Sequence, residues 1–245
     1  MDNIGDPDIS FDEDDVCNYY YDFMKRLKIR VPQRTEAKHQ LDRLIKRIKK
    51  DGEGKQYDCI IGVSGGVDST YTAWLVKQFG LRPLAVHLDN GWNSELAVKN
   101  IENILNKLNI DLYTKVLDWE MFKDLQLSFL KASTPDGEIP TDHAIYSVLY
   151  KMTKKFNIRY IIIGMNFRHE GMLPRTWARG HMDWKYIRSV QNIFGTKSIR
   201  GFPHLNYFNI FYLNIVKRIR FISFINYVDF DRDKIMALLK KELSW

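Results

Sequence analysis

The chain is expected to fold as an α/β domain with a doubly wound, mostly parallel sheet and a mainly helical C-terminal extension. Three observations predict it. The apolar stretch Cys59-Ile60-Ile61-Gly62-Val63 runs straight into Ser64-Gly65-Gly66 and then into a helical pattern. Strand-like and helix-like segments alternate at βαβ length as far as Gly164. Tyr160-Ile161-Ile162-Ile163-Gly164 is short and apolar throughout, as in strands buried on both faces.

Size and composition fit that class. With 245 residues, 45% of them apolar, the chain can bury a sizeable core as one α/β domain with appendages. Only Cys17 and Cys59 are present, so no disulfide framework is suggested; no apolar leader opens the acidic start, and a cytoplasmic location is expected. The net charge is +7, yet residues 1–140 carry 19 basic and 23 acidic residues against 18 and 7 in 141–245. The excess is therefore C-terminal, where it suits nucleic acid, an anionic membrane surface or a small multiply charged substrate alike.

In chain order, residues 2–15 hold seven carboxylates around one proline and read as an extended arm. Over 35–50, Ala37, Leu41, Leu44, Ile45 and Ile48 recur at helical spacing and Asp51-Gly52-Glu53-Gly54 ends the pattern. The first strand is followed by a helix over 67–79, a strand over 83–88 and the loop Asp89-Asn90-Gly91-Trp92. A helix over 94–108, a strand over 111–116 and a helix over 119–131 come next. Thr134 to Pro140 breaks the pattern, Thr141 and Asp142 are N-cap candidates for a helix to 156, and 160–164 is a short buried strand. Beyond lie the polar group Asn166, Arg168, His169 and Glu170, a loop through Pro174, Trp177 and Gly180, helices over 184–194 and 207–218, an extended piece over 221–228 and a last helix over 231–242. No internal repeat is present. The run Tyr207, Phe208, Phe211, Tyr212 with Phe221, Phe224 and Tyr227 is cut by Lys217, Arg218 and Arg220 short of the roughly 20 apolar residues a membrane span needs, and core packing is expected for it.

The chemistry concentrates in Ser64-Gly65-Gly66-Val67-Asp68-Ser69-Thr70. Adjacent glycines let backbone turn sharply and approach a ligand, and the N–H groups they free join those opening the next helix, which together attract an anion. The hydroxyls of Ser64, Ser69 and Thr70 add donors. Asp68 is a carboxylate where phosphate would repel it, unless Mg²⁺ lies between them, so a metal–nucleotide is implied. No Gly-Lys-[Ser/Thr] follows, which excludes a Walker A loop. In a βαβ unit the ligand lies outside the carboxyl ends of the strands, so Asp89, Asn90, Gly91 and Trp92 face the same crevice, either for adenosine or as a plain Asp-Asn-Gly turn. Asn166 and Glu170 follow a buried strand at an equally functional position. His87 reads as a wall residue and Cys59 as a small apolar filler. A lone Cys17 makes no zinc site.

Ser64-Gly65-Gly66-Val67-Asp68-Ser69 resembles the SGGxDS loop of the PP-loop ATP pyrophosphatases, whose fold is that of the adenine nucleotide alpha hydrolases. Within them the chain is most similar to the N-acetyl sugar amidotransferases of bacterial surface-polysaccharide (O-antigen) synthesis. That likeness rests on Asp6-Pro7-Asp8-Ile9 with Val16-Cys17-Asn18, on 86–94, and on Gly164-Met165-Asn166 with 170–174. Two departures stand out: the second of the family's Cys-x-x-Cys pairs reads Cys17-Asn18-Tyr19-Tyr20, so zinc is not expected, and the chain is short at both ends against the family pattern.

The resemblance implies an acidic N-terminal arm over 1–34 with a degenerate zinc-site remnant, a nucleotide-binding domain over 35–180 and a helical extension over 181–245. It implies that an acetamido oxygen attacks the α-phosphate of ATP, that pyrophosphate leaves into the loop with Mg²⁺, and that ammonia displaces AMP to give an acetamidino sugar. Ser64, Gly65, Gly66, Asp68, Ser69 and Thr70 then hold pyrophosphate and metal, Asp89 to Trp92 hold adenosine, and Asn166 and Glu170 meet the N-acetylated nucleotide-sugar. Neither cysteine suits glutamine hydrolysis, so a glutaminase and a barrel-type ammonia-channel subunit are the implied partners, with the aromatic and basic C-terminal residues as their docking surface. The rivals are a tRNA-modifying PP-loop enzyme, suggested by the basic half, and a truncated, inactive nucleotide-binding relative. No partner DNA is expected.

Overall fold

The computed structural model describes residues 2, 4–172, 174, 180–243 and 245. Its elements run α1 Asn18–Arg30, α2 Arg34–Asp51, β1 Cys59–Gly62, α3 Val67–Gln78, β2 Pro83–Asp89, α4 Glu95–Leu108, β3 Asp111–Val116, α5 Trp119–Lys131 and α6 Ile139–Lys155. They continue with β4 Tyr160–Ile162, α7 Phe167–Glu170, α8 Trp184–Phe194, α9 Tyr207–Phe211 with a π-helical continuation Tyr212–Val216, β5 Arg220–Ile222, a 3₁₀ turn Phe224–Tyr227, and α10 Arg232–Leu243.

The five strands form one sheet in the order β3-β2-β1-β4-β5, and every pairing is parallel. The chain winds outward from β1 through β2 to β3, then crosses back to β4 on the other side of β1. The reversal leaves a gap between the loops after β1 and β4, the switch point where doubly wound sheets take their ligands.

Side-chain alternation along β1 feeds two cores. Cys59 and Ile61 join Ala85 and Ile162 beneath α2, α3, α4 and α10, where Ile48, Val76, Ile104 and Leu239 are buried. Ile60 points the other way, with Leu84, Val86 and Ile161, against Val148, Leu149 and Met152 of α6. Burial on this scale is worth roughly 1.5–3 kcal/mol for each such aliphatic side chain. A third cluster, around Phe122, Phe129 and Phe202, ties α5 to α8.

Several expectations are corrected. The N-terminal segment is not all arm: α1 folds, and its Phe23 stacks on Phe167 with ring centroids 6.0 Å apart. Asp6 and Ile9 are buried, and Asp6 accepts from the Tyr19 hydroxyl at 2.8 Å. Helix α6 begins earlier than Thr141, because Pro140 fits its first turn and the N-cap is Glu138. Residues 181–245 are mainly helical as expected, and their extended piece is β5, which completes the sheet, while α10 closes one core. The aromatic run divides: Phe224 is buried, while Tyr207, Phe208, Phe211 and Tyr212 are exposed. Leu173 and Trp177, counted in the fourth-strand loop, lie outside the described residues.

Candidate active site

The switch-point crevice holds about 530 Å³ and is bounded by the loops after β1 and β4, the end of β2, the first turns of α3 and α6, and Arg232 at the start of α10. This volume falls within the range of small-molecule sites, about 300–1,000 Å³.

Its floor is the Ser64–Ser69 loop. Gly65 has φ +78°, a backbone conformation that disfavours any side chain, and a Cβ there would sit 2.5 Å from the Ala97 carbonyl oxygen. The Ser64 N–H donates to the Ser69 hydroxyl at 3.2 Å, and that hydroxyl donates to the Gly66 carbonyl at 3.1 Å, so the loop is closed on itself. Gly66 is the N-cap of α3 and no side chain caps the helix. The first-turn N–H groups of a twelve-residue helix therefore border the crevice with no side-chain partner among the described residues, a ready anion cradle. At β4, a Cβ on Gly164 would lie 2.8 Å from the Ser69 amide nitrogen, so only glycine lets the strand end pass over this helix start.

Two carboxylates and a guanidinium share the crevice. Burial pushes the Asp68 carboxyl above its ordinary value, against the opposing charges of Arg232 and His169. Burial also raises Glu170 and the charge of Asp68 raises it further, against a hydrogen bond at Asn166 and the charge of His169. Neither carboxylate has an ion-pair partner within 4 Å among the described residues. Two mutually repelling carboxyls beside an anion cradle are a donor set suited to a hard divalent cation such as Mg²⁺.

Of the residues singled out in the sequence, Ser64, Gly66, Asp68, Ser69, Asn90 and Glu170 line the crevice, and Gly65 shapes the turn. Thr70, Asp89, Gly91, Trp92 and Asn166, the other residues assigned to nucleotide or substrate, lie off it. Thr70 is buried under the loop, its hydroxyl without a partner among the described residues. Asp89 holds its own loop, accepting from the Gly91 N–H at 3.0 Å and from Asn93 at 3.1 Å. Gly91 is pressed against the Trp119 ring, and Trp92 turns away to meet Phe122 edge-on at 5.4 Å. Asn166 is fully buried as the N-cap of α7, accepting from the Arg168 N–H at 3.1 Å, so it supports Glu170 from below. Arg168 is spent on the carbonyls of Ile225 and Asn226.

The structure adds residues the sequence reading did not assign. Arg232 enters from α10, Thr141 and Ile145 from α6, Asn93 from the loop after β2 and Met165 from beyond β4. His87 is a wall residue, as its place in the strand suggested: its Nδ1 lies 2.9 Å from the Val63 carbonyl and its Nε2 3.3 Å from Asn93 Nδ2. An amide donor at Nε2 assigns the proton to Nδ1.

No protein-family model matches the chain. It is 30% identical over 138 residues to the uncharacterized protein MJ1599 of Methanocaldococcus jannaschii, covering 54% of this chain and 46% of that protein. It is 29% identical over 123 residues to the tRNA-specific 2-thiouridylase MnmA of Clostridioides difficile, covering 43% and 34%. It is 33% identical over 94 residues to the glutamine-hydrolyzing GMP synthase of Pyrobaculum aerophilum, covering 38% and 18%. The two relatives with assigned activities are PP-loop ATP pyrophosphatases. The matched region spans less than half the length of each of the three. Among solved structures, the NH3-dependent NAD synthetase of Campylobacter jejuni aligns over 85% of this chain and 93% of its own, at 15% identity and a TM-score of 0.42.

Proposed function

We propose that the chain is an ATP-dependent amidotransferase that activates the acetamido oxygen of an N-acetylated nucleotide-sugar by adenylation and lets ammonia replace it, giving an acetamidino sugar. The observation that carries this reading is the crevice itself. The phosphate cradle at the start of α3 shares one crevice of about 530 Å³ with Asp68, Glu170, Thr141, Ile145 and Met165. The sugar is the part supplied by the sequence resemblance.

In this reading the bare N–H groups of the α3 N-terminus and the Ser64 and Ser69 hydroxyls hold the departing pyrophosphate, and Asn90 and His87 border the nucleotide. Arg232 offsets charge on the phosphates, and Glu170 accepts a proton from the incoming ammonia or orients the amide. The protein's part is positioning and charge stabilisation. Mg²⁺, held through Asp68, would neutralise phosphate charge.

The thiouridylase likeness favours a second reading, sulfur transfer to tRNA. That chemistry calls for a thiol beside the nucleotide, and neither cysteine lines the crevice: Cys59 is fully buried, which pushes its thiol up, and Cys17 precedes α1. The same absence of an activated thiol implies that ammonia comes from a separate glutaminase, delivered through a channel subunit.

The test is to incubate the purified chain with ATP, Mg²⁺ and a panel of acetamido nucleotide-sugars, with either ammonium or glutamine as nitrogen source. AMP and pyrophosphate should accumulate with one sugar and ammonium, and not with glutamine. Glutamine-driven turnover by the chain alone would overturn the ammonia assignment. Release of pyrophosphate only with tRNA would favour the second reading, and tight ATP binding without turnover would mark an inactive relative.

A further inference from the structure

The helix formed by α9 and its π-helical continuation turns its apolar side outward. Ile210 and Leu213 pack inward and Asn214 accepts from the Tyr150 hydroxyl at 2.7 Å, which seats the helix on α6. That leaves two rows on the solvent side: Tyr207, Phe211 and Ile215, and beside them Phe208, Tyr212 and Val216. All six are 43–85% exposed, Phe208 most of all. The wider π winding offsets the drift of an α-helix and keeps residues four apart on one side. The result is a ridge of aromatic and aliphatic side chains that carries no charge of its own and meets one acid, Asp183, at Tyr207.

Directly after the ridge the chain turns cationic. Lys217 lies over the Tyr212 ring at 5.9 Å, and Arg218 takes the left-handed position that ends the helix, φ +55°, where glycine is usual. Arg218 and Arg220 then line a cavity of about 250 Å³ with Arg47, Asp51, Arg159 and Tyr160, at the amino-terminal end of β4 and β5. Asp51 is already engaged, accepting from the Tyr160 hydroxyl at 2.6 Å with Arg159 at 3.5 Å. Arg47, Arg218 and Arg220 have no ion-pair partner among the described residues. Across 184–228 the chain carries seven Lys and Arg and no Asp or Glu; of these, Lys197 is paired with Glu120.

We propose that the ridge and the arginine-lined cavity form a docking surface for an anionic membrane, the ridge entering the headgroup region and the arginines taking lipid phosphates. Aromatic and aliphatic side chains on one side of a helix with cations at its end are the arrangement of interfacial helices. Ile215 and Val216 gain nothing from stacking on bases, which argues against RNA. A protein partner, the docking that the family resemblance implies, would need an acidic patch set against Arg47, Arg218 and Arg220, whereas an anionic bilayer presents that charge wherever the ridge enters it. Of the acids beside the surface, Asp51 is already engaged with Tyr160 and Arg159, and Asp183 with Tyr207. The surface begins at the amino-terminal end of β5, whereas the nucleotide crevice opens at the carboxyl ends of the strands, so the proposal does not depend on the reaction.

The test is co-sedimentation of the full chain with vesicles of phosphatidylcholine, with or without phosphatidylglycerol, at low and high salt. Binding should require phosphatidylglycerol and weaken with salt. Phe208→Ser with Phe211→Ser should lower the partition coefficient by about tenfold or more, and Arg218→Gln with Arg220→Gln by about 25-fold, since each arginine near an anionic surface is worth about fivefold. These side chains are exposed, so folding should be intact by circular dichroism, and ATP binding serves as the control. Absence of vesicle binding, equal binding to neutral vesicles, or variants that sediment like the parent would each overturn the proposal. So would full displacement by inorganic phosphate, which would mark a free-anion site, a ridge-dependent dimer in light scattering, or tRNA binding that the same variants abolish.

Discussion

The indole N–H of Trp245 donates to the carbonyl of Gly65 at 3.0 Å, joining residues 180 apart in the chain. Asn100 Nδ2 approaches the same oxygen at 3.5 Å. The Ser64–Ser69 turn is thus held from behind by α4 and by Trp245, beyond the end of α10, the helix that also delivers Arg232. The crevice floor and the C-terminal segment are tied together.

Trp245→Phe keeps the apolar contact and removes the donor. A net hydrogen bond of about 1 kcal/mol corresponds to roughly fivefold, and ATP affinity should fall by about that factor in titration calorimetry, with little change in melting temperature. Unchanged affinity would mean that the loop holds its shape without this contact.

Gly65→Ala tests the turn directly. A side chain would be forced into the left-handed region and against the Ala97 carbonyl. The cost should be about 1–3 kcal/mol in urea denaturation, and the loop should move away from α4, with ATP binding lost. Wild-type affinity in this variant would contradict the close approach.

Asp68→Asn separates stability from function. Burial raises the Asp68 pKa, so between the ordinary aspartate value of 3.8 and the raised one the folded chain holds a proton that the unfolded chain has lost. Ionising this group therefore destabilises the fold, with the penalty absent in acid and growing as pH rises through the raised value. The variant should melt higher than the parent at pH 7 and equally below the ordinary aspartate range, while AMP formation is lost. Full turnover would remove Asp68 from the site.

Asp124 behaves in the opposite way. Burial alone would push its carboxyl up, but donors from Thr196, Lys197 and Gln191 hold it far below the usual carboxylate range. Its contribution is present above the ordinary aspartate value and is lost as pH falls through the lowered one. Asp124→Asn should cost about 3 kcal/mol at pH 7 by leaving donors unmatched, and this deficit should shrink in strong acid. A variant as stable as the parent at pH 7 would contradict the network.

Much of the crevice was legible because its determinants are local. The strand, the Ser-Gly-Gly turn and the helix start stand consecutively, and their spacing alone places Ser64, Gly66, Asp68 and Ser69 in one crevice. Arg232 had no such signal, since only the closure of α10 over the sheet brings it there. Asn166 shows a different limit: sequence position puts it at a strand end, but cannot say that its side chain turns inward to cap α7. Apolar periodicity over 207–216 marked a helix with one coherent side without telling whether anything covers it. Helix α1 was missed because Tyr19, Tyr20 and Tyr21 mask the spacing of its one buried anchor, Phe23.

The central claim, that the acetamido oxygen is adenylated, is tested most directly by following that oxygen. An acetamido nucleotide-sugar carrying heavy oxygen in its carbonyl is turned over with ATP, Mg²⁺ and ammonium, and the products are weighed by mass spectrometry. Adenylation places the label in the phosphate of AMP, with unlabelled pyrophosphate beside it. Label in inorganic phosphate with ADP as co-product, or AMP formed without label, would contradict the account.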